Sequence, residues 1–225
     1  MIIAGLDESG RGPVIGPLVL AGVSIDEDKI KELKRIGVKD SKLLSPGQRE
    51  ELFDKIKEIV NDYRIIIVEP WEIDEFVKDN RLNELELLKF CEIINYLMPD
   101  KAIIDAPGNN KGVMLDFIKN HLLNKNIKVV LEHKADLKYE VVGAASILAK
   151  VTRDLEIERL KKEYNIDFGS GYPSDEITKD FLRKNWNIEK YKKLYRKSWD
   201  SWKRLKEEEE RKREEKKQKR LFDYG

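Results

Sequence analysis

The stretch Gly5-Leu6-Asp7-Glu8-Ser9-Gly10-Arg11-Gly12-Pro13 limits more than any other how this chain can fold. Residues 2–6 are an apolar run that reads as a buried strand, and two adjacent carboxylates, Asp7 and Glu8, stand at its end. Unpaired carboxylates are costly to bury, by several kcal/mol each. The next residues, Gly10-Arg11-Gly12, form a backbone able to take positive φ and to come close to a ligand. The fold must therefore bring a counter-charge to the end of this strand.

Beyond that stretch, apolar runs alternate with helical patterns. Residues 18–25 follow the turn at Gly12-Pro13 and read as an antiparallel neighbour of the first strand. Ser45-Pro46-Gly47-Gln48 opens a helix, with Ser at the N-cap, Pro at the first position and Gln three residues on. Leu52, Phe53, Ile56, Ile59 and Val60 then keep helical spacing. The pattern predicts strands over 63–68, 102–104 and 127–131, and helices over 82–97, 113–123 and about 139–164. Gly169-Ser170-Gly171-Tyr172-Pro173 interrupts, and after Ser174 the chain reads as helical almost to its end. The expectation is an α/β fold on a mixed sheet, antiparallel at one side and parallel at the other.

A chain of 225 residues holds one substantial core plus an appendage. It has no apolar stretch long enough for a membrane span and no visible signal peptide, and Cys91 is its single cysteine. These features lead us to expect a cytoplasmic protein, with Cys91 a core thiol. Charged residues make up 39% of the chain but the net charge is only +1, so any nucleic-acid contact must come from local clustering. Residues 203–220 are nearly all Glu, Lys and Arg, the composition of a solvated helix or a disordered tail.

Asp7 and Asp105 stand at strand ends, Asp136 follows a third strand, and Glu8 adds a fourth acid. Ligands of open α/β sheets lie beyond the carboxyl ends of strands. Acids gathered there need a cation, and donors offering only oxygen select hard ions such as Mg²⁺ or Mn²⁺. Taken singly, Asp105 or Asp136 reads equally well as a turn former or a helix cap. His121 falls on an amphipathic helix as a structural residue. His133, close to Asp136, reads as a surface histidine or as an aid to proton traffic. Asp40-Ser41-Lys42 and Lys150-Val151-Thr152-Arg153 bring hydroxyls and cations of the kind that hold phosphates. Tyr172, on a Gly/Pro-stiffened loop, offers a ring to a sugar or base, or plugs the edge of the core.

Six stretches carry a resemblance: 7–13, 39–42, 105–107, 134–136, 144–154 and 169–175. In that order they resemble the type 2 ribonuclease H family in its archaeal form, and they span the chain to about residue 185. The resemblance implies a ribonuclease H-like mixed five-stranded sheet flanked by helices. It implies a catalytic domain over 1–175 and a C-terminal helical region with a charged tail over 176–225. It implies an endonuclease that cuts the RNA strand of RNA–DNA hybrids and cuts at ribonucleotides embedded in duplex DNA. Asp7, Glu8, Asp105 and Asp136 would be the catalytic, metal-binding quartet, holding two Mg²⁺ or Mn²⁺ ions during catalysis. The backbone of Gly10, Arg11 and Gly12, together with Tyr172, would recognise the ribose 2′-hydroxyl. Ser41, Lys42, Ser146, Lys150 and Arg153 would serve around the phosphate backbone. Ser9 departs from the family's usual alanine and is small enough to fit. Other readings are a different metal-dependent nuclease on the same fold, or a non-catalytic module that binds hybrids.

Apolar and aromatic residues return at the very end of the chain. Gln218, Leu221 and Tyr224 keep the register of peptides that bind the replication sliding clamp, with Phe222 alongside and Gly225 where a second aromatic belongs. That resemblance makes the clamp an expected partner, docking through Gln218, Leu221, Phe222 and Tyr224. The alternative is a helix end folded back onto the body. A monomer is the default expectation.

Overall fold

The computed structural model of the chain describes residues 1–38 and 44–223. In chain order its elements are β1 (Ile2–Ser9), β2 (Leu18–Asp26), α1 (Ile30–Arg35), α2 (Pro46–Ile59), β3 (Asp62–Val68), α3 (Pro70–Val77) and α4 (Leu82–Leu97). There follow β4 (Lys101–Asp105), α5 (Lys111–His121), β5 (Lys128–Glu132), α6 (Ala135–Lys138), α7 (Glu140–Tyr164), α8 (Glu176–Asn185) and α9 (Asp200–Asp223). Two compact units result. The first comprises 1–11, 17–68 and 81–156; the second comprises 12–16, 69–80 and 157–225.

The first unit holds a five-stranded sheet in the order β3-β2-β1-β4-β5. β1 pairs antiparallel with β2 and parallel with β4, so the sheet changes sense at β1. β2 is buried along nearly all its length, as an apolar strand covered on both faces must be. On one face α1, α2 and α7 bring Leu33, Ile56, Val142 and Leu148 onto Ile3, Val19 and Val23. On the other face α4 lays Ile93 and Leu97 over Gly22 and Leu6. α2 begins as its sequence predicts. Ser45 Oγ accepts from the Gln48 amide at 3.3 Å, and Gln48 Oε1 accepts from the Ser45 amide at 2.9 Å.

The second unit packs Phe168, Phe181, Trp186, Tyr195 and Trp202 against Val14 and Ile15. The rings of Tyr195 and Trp202 stack with centroids 4.5 Å apart. Here the structure departs from the continuous helix expected after Ser174. The chain breaks into α8, a 3-10 segment over Glu189–Leu194, an extended passage at Tyr195 and then α9. The cause is pairing with 12–16. Gly16 N donates to Leu194 O at 2.9 Å, Arg196 N donates to Val14 O at 2.9 Å, and the buried Arg196 Nε donates to Gly16 O at 2.9 Å.

The mixed sheet and its sense match the expectation, with most element ends moved by a residue or two; β1 runs three residues past the expected end at Leu6, because pairing with β2 continues to Ser9, and so contains Asp7 and Glu8. The short helices α1, α3 and α6 span too few turns for periodicity to reveal them. Cys91 is the expected core thiol, and burial pushes its pKa up to about 12. Among the described residues no helix is long and apolar enough to cross a membrane.

Gly5 marks the tightest approach in the first unit. A Cβ there would sit 2.3 Å from the Val141 carbonyl carbon, which is backbone and cannot swing aside. Gly5→Ala is expected to destabilise the protein by about 1–3 kcal/mol or more, read as a lower urea midpoint at unchanged m-value. A midpoint equal to wild type would show that α7 does not bear directly on β1.

Candidate active site

Strand register builds the acidic site. Leu6 stands opposite Ile104 in the parallel β1–β4 pair, so the next residues, Asp7 near the carboxyl end of β1 and Asp105 at the end of β4, come side by side. Alternation along β1 then separates the two neighbouring acids. Asp7 faces α7, where it shares a hydrogen bond with the Ser146 side chain, and Glu8 faces α4 and the buried carboxylate of Glu86. Their own carboxyl groups remain close enough to act on each other's charge. Asp7 Oδ1 also accepts from the Glu8 amide at 2.8 Å. Asp105 Oδ1 accepts from the Ala135 amide at 3.3 Å, which ties it to the turn of α6 that carries the buried Asp136. That turn begins at Lys134 in the left-handed region, φ 54°.

The electrostatics follow from this crowding. Burial first, then the Glu8 charge, hold the Asp7 carboxyl well above the usual carboxylate range, and Asp105 adds to the effect. Burial and then Glu86 raise Glu8 from 4.5 to about 7, while Arg11 pulls it back in part. Among the described residues no three His, Cys, Asp or Glu side chains close around an ion as they stand. The donor set nonetheless fits a hard divalent cation. All four acids offer oxygen alone, and a cation relieves the repulsion that raises Asp7 and Glu8.

The remaining predicted residues take varied places. Gly10 adopts φ +88°, and a Cβ there would lie 2.4 Å from Arg153 Nε. Arg153 is therefore buried beneath the turn, where it supports Gly10 rather than facing solvent. The Lys150 ammonium pairs with Asp154 at 2.6 Å. The Arg11 guanidinium pairs with Glu86 at 2.7 Å. Tyr172 packs by Gly12, since a Cβ on Gly12 would meet its ring at 3.5 Å. Asp175 holds the Tyr172 loop, accepting from the Ser170 hydroxyl at 2.7 Å and from the Ile177 amide at 3.0 Å. His133 is half-buried, and His121 stacks on Phe117 with ring centroids 4.1 Å apart. Ser41, Lys42 and Tyr224 lie outside the described residues. Gln218 is exposed on α9, and Leu221 and Phe222 fall in the last turn of that helix.

Sequence reasoning missed Glu86, Asn83 and Trp199. Glu86 carried a signal: positions 86, 90, 93 and 97 form one stripe of α4, and the other three are apolar and buried. Trp199 gave none, because its Nε1 reaches the Gly12 carbonyl, at 3.1 Å, across 187 positions of chain.

The family described as Ribonuclease HII matches residues 4–202. The chain belongs to the ribonuclease HII family. The Ribonuclease HII of Pyrococcus abyssi is 48% identical over 210 residues, covering 92% of this chain and 92% of that protein. The crystal structure of ribonuclease H2 from Pyrococcus horikoshii superposes with a TM-score of 0.84 at 45% identity, covering 93% of this chain and 99% of that one. A ribonuclease HII from Archaeoglobus fulgidus, solved in complex with PCNA, gives a TM-score of 0.79 at 42% identity, with 89% and 96% covered. The resemblance read from the six stretches is thus borne out at the level of family and fold.

The raised carboxyls make a ribonuclease HII of this design sensitive to pH without metal. A raised acid binds more protons folded than unfolded, so stability falls as pH rises through the window from 4.5 to about 7. In EDTA the melting temperature is expected to drop between pH 5 and 7.5, and saturating Mg²⁺ is expected to restore it at the upper end. Asp7→Asn removes one repelling charge, so it should melt no lower than wild type at pH 7.5 in EDTA while losing cleavage. A mutant that retains near-wild-type cleavage would remove Asp7 from the site.

Proposed function

We propose that this chain is a metal-dependent endonuclease that hydrolyses the RNA strand of RNA–DNA hybrids and cuts at single ribonucleotides in duplex DNA. Products carry a 5′-phosphate and a 3′-hydroxyl. The observation that carries the reading is that Asp7 and Asp105 each follow directly on the Leu6–Ile104 pair, at the strand where the sheet changes sense, in a chain matched to its family over 4–202.

Asp7, Glu8, Asp105 and Asp136 would hold the divalent ions, Mg²⁺ or Mn²⁺. Two such ions, held by these carboxylates, would supply activation of the attacking water and neutralisation of charge on the leaving 3′ oxygen. Ser146 orients Asp7 through their shared hydrogen bond. The amides of the Gly10-Arg11-Gly12 turn and the Tyr172 ring read the ribose 2′-hydroxyl, which distinguishes RNA from DNA. Lys150 serves the phosphate backbone, with Ser41 and Lys42. The protein's own contribution is placement, holding the scissile phosphate in line with the water. The enzyme acts in the cytoplasm as a monomer, in primer removal and ribonucleotide excision.

A DNA duplex with one ribonucleotide and its all-DNA twin test the reading directly. Cleavage of the first alone, abolished by EDTA, is expected; no cleavage of the first overturns it. Tyr172→Ala is expected to lower kcat/KM on the single-ribonucleotide duplex about 10- to 100-fold, the equivalent of ~1–3 kcal/mol of stacking. Its affinity for the all-DNA twin should change less than twofold, and equal losses on both would make the ring purely structural.

The Archaeoglobus fulgidus ribonuclease HII solved with PCNA supports the sliding clamp as partner. Gln218, Leu221, Phe222 and Tyr224 dock the chain to it, with the charged length of α9 as a tether. Deleting 218–225 should leave cleavage of short duplexes unchanged and remove heat of binding to the cognate clamp in calorimetry. Unchanged clamp binding by the truncated protein, or none by the intact one, overturns the docking role.

A further inference from the structure

α4 buries Leu85, Phe90, Ile93 and Leu97, and among them it buries a charge. Glu86 is 0% exposed, on the same stripe as Phe90 and Ile93. A carboxylate in that setting is tolerated only with a cation against it. Arg11 supplies the cation, its Nη1 donating to Glu86 Oε2 at 2.7 Å. The same Nη1 donates to the Pro107 carbonyl at 2.8 Å, and Nη2 donates to Asn83 Oδ1 at 2.5 Å. Asn83 and Glu86 are three residues apart, so α4 offers both from one face.

One guanidinium thus joins three pieces of chain: α4, the Gly10-Arg11-Gly12 turn and the loop two residues past Asp105. Asn83 also lies close against that loop at Gly108, where a Cβ would sit 2.7 Å from its Nδ2. The arrangement carries a penalty, since Glu86 lies near enough to Glu8 to repel it. An apolar residue at 86 would complete the stripe and relieve Glu8. The best-attested use of a buried ion pair is to fix one geometry among several. A turn with glycine on either side of its arginine has much to gain, because glycine restricts its own backbone least.

We propose that Glu86, with Asn83, is a positioning residue that clamps Arg11 and thereby sets the Gly10–Gly12 backbone to discriminate ribose from deoxyribose. The inference rests on the 2′-hydroxyl reading of that turn given above. Glu86 touches no substrate; it acts through Arg11 and through the loop beyond Asp105. Pre-organisation of this kind appears as selectivity rather than as stability.

The test is a double-mutant cycle on kcat/KM for the single-ribonucleotide duplex, using wild type, Glu86→Leu, Arg11→Met and the double variant. Glu86→Leu is expected to fold, because the Arg11 side chain is 34% exposed and can turn to water. Melting curves in EDTA check this, and Glu86→Gln, of nearly the same shape, replaces it if it fails. A loss of tenfold or more is expected from Glu86→Leu in wild type, and of less than twofold in the Arg11→Met background. The second measurement is a ratio of dissociation constants, all-DNA twin over single-ribonucleotide duplex, in the cleavage-deficient Asp7→Asn background. That ratio does not depend on the fraction of protein folded, so a purely structural role leaves it unchanged. It is expected to fall at least fivefold with Glu86→Leu. An unchanged ratio, or an equal loss in both Arg11 backgrounds, overturns the clamp while the ribonuclease reading stands. A wild-type protein that fails to distinguish the two duplexes overturns both.

Discussion

Repulsion among carboxylates at the end of β1 is the constraint on which the rest of the first unit depends. Asp7, Glu8 and Asp105 repel one another at the end of a buried strand, and burial alone already disfavours their charge. Such a cluster survives only on a scaffold that holds it against its own expansion. The scaffold is a strand buried through its middle. β1 is paired on both sides, and its two faces are covered by α7 and α4. The contact at Gly5 shows how little play remains, since the α7 backbone lies where a side chain would begin. Rigidity there holds the acids at the spacing that a cation is needed to relieve.

The change of strand sense at β1 has a consequence for chemistry. A parallel neighbour delivers its carboxyl end to the same edge, so β4 brings Asp105 beside Asp7 and the loop after β5 brings Asp136 by way of Ala135. An antiparallel neighbour delivers its amino end there, and β2 brings Leu18 and Val19 instead. The acids therefore accumulate on one side of β1 only. Strand alternation divides them again by face, with Asp7 answered by Ser146 on α7 and Glu8 opposed by Glu86 on α4. Two residues adjacent in sequence thus sit in different fields, one steadied by a hydroxyl and one pressed by a second carboxylate that Arg11 partly offsets.

What the sequence made legible was local or periodic. The first strand, the capping box at Ser45 and the helical stripes of α2 and α4 are all short-range patterns, and each appears in the structure, the strand running on through Asp7 and Glu8 to Ser9. The short helices were invisible because a pattern of 3.6 needs several turns to emerge. The break after α8 was invisible for another reason. It is caused by hydrogen bonds from Arg196 to Val14 and Gly16, about 180 residues away, and no window of local sequence contains both partners. Glu86 lies between these cases. Its stripe was readable, but a glutamate on a helix is normally solvated, and only Arg11 makes it otherwise.

The Gly-Arg-Gly turn shows why the same few letters can be weak as a motif and demanding as a structure. The boundary between the two compact units falls between Arg11 and Gly12. Within the first unit, Arg11 is held by Glu86, Asn83 and Pro107, and Gly10 lies over Arg153. Within the second, the Gly12 carbonyl accepts from Trp199 Nε1 and the Tyr172 ring lies beside it. Gly10 must be glycine on two counts, its φ of +88° and the Arg153 side chain beneath it. Gly12 is under no such compulsion, because a Cβ there would meet the Tyr172 ring at an ordinary 3.5 Å. Its bareness leaves the backbone open on the side of the ring. A chain that needed only a tight turn would be satisfied with one glycine here. The second glycine answers to no steric demand within the turn itself, and what it adds is a bare backbone beside an aromatic face.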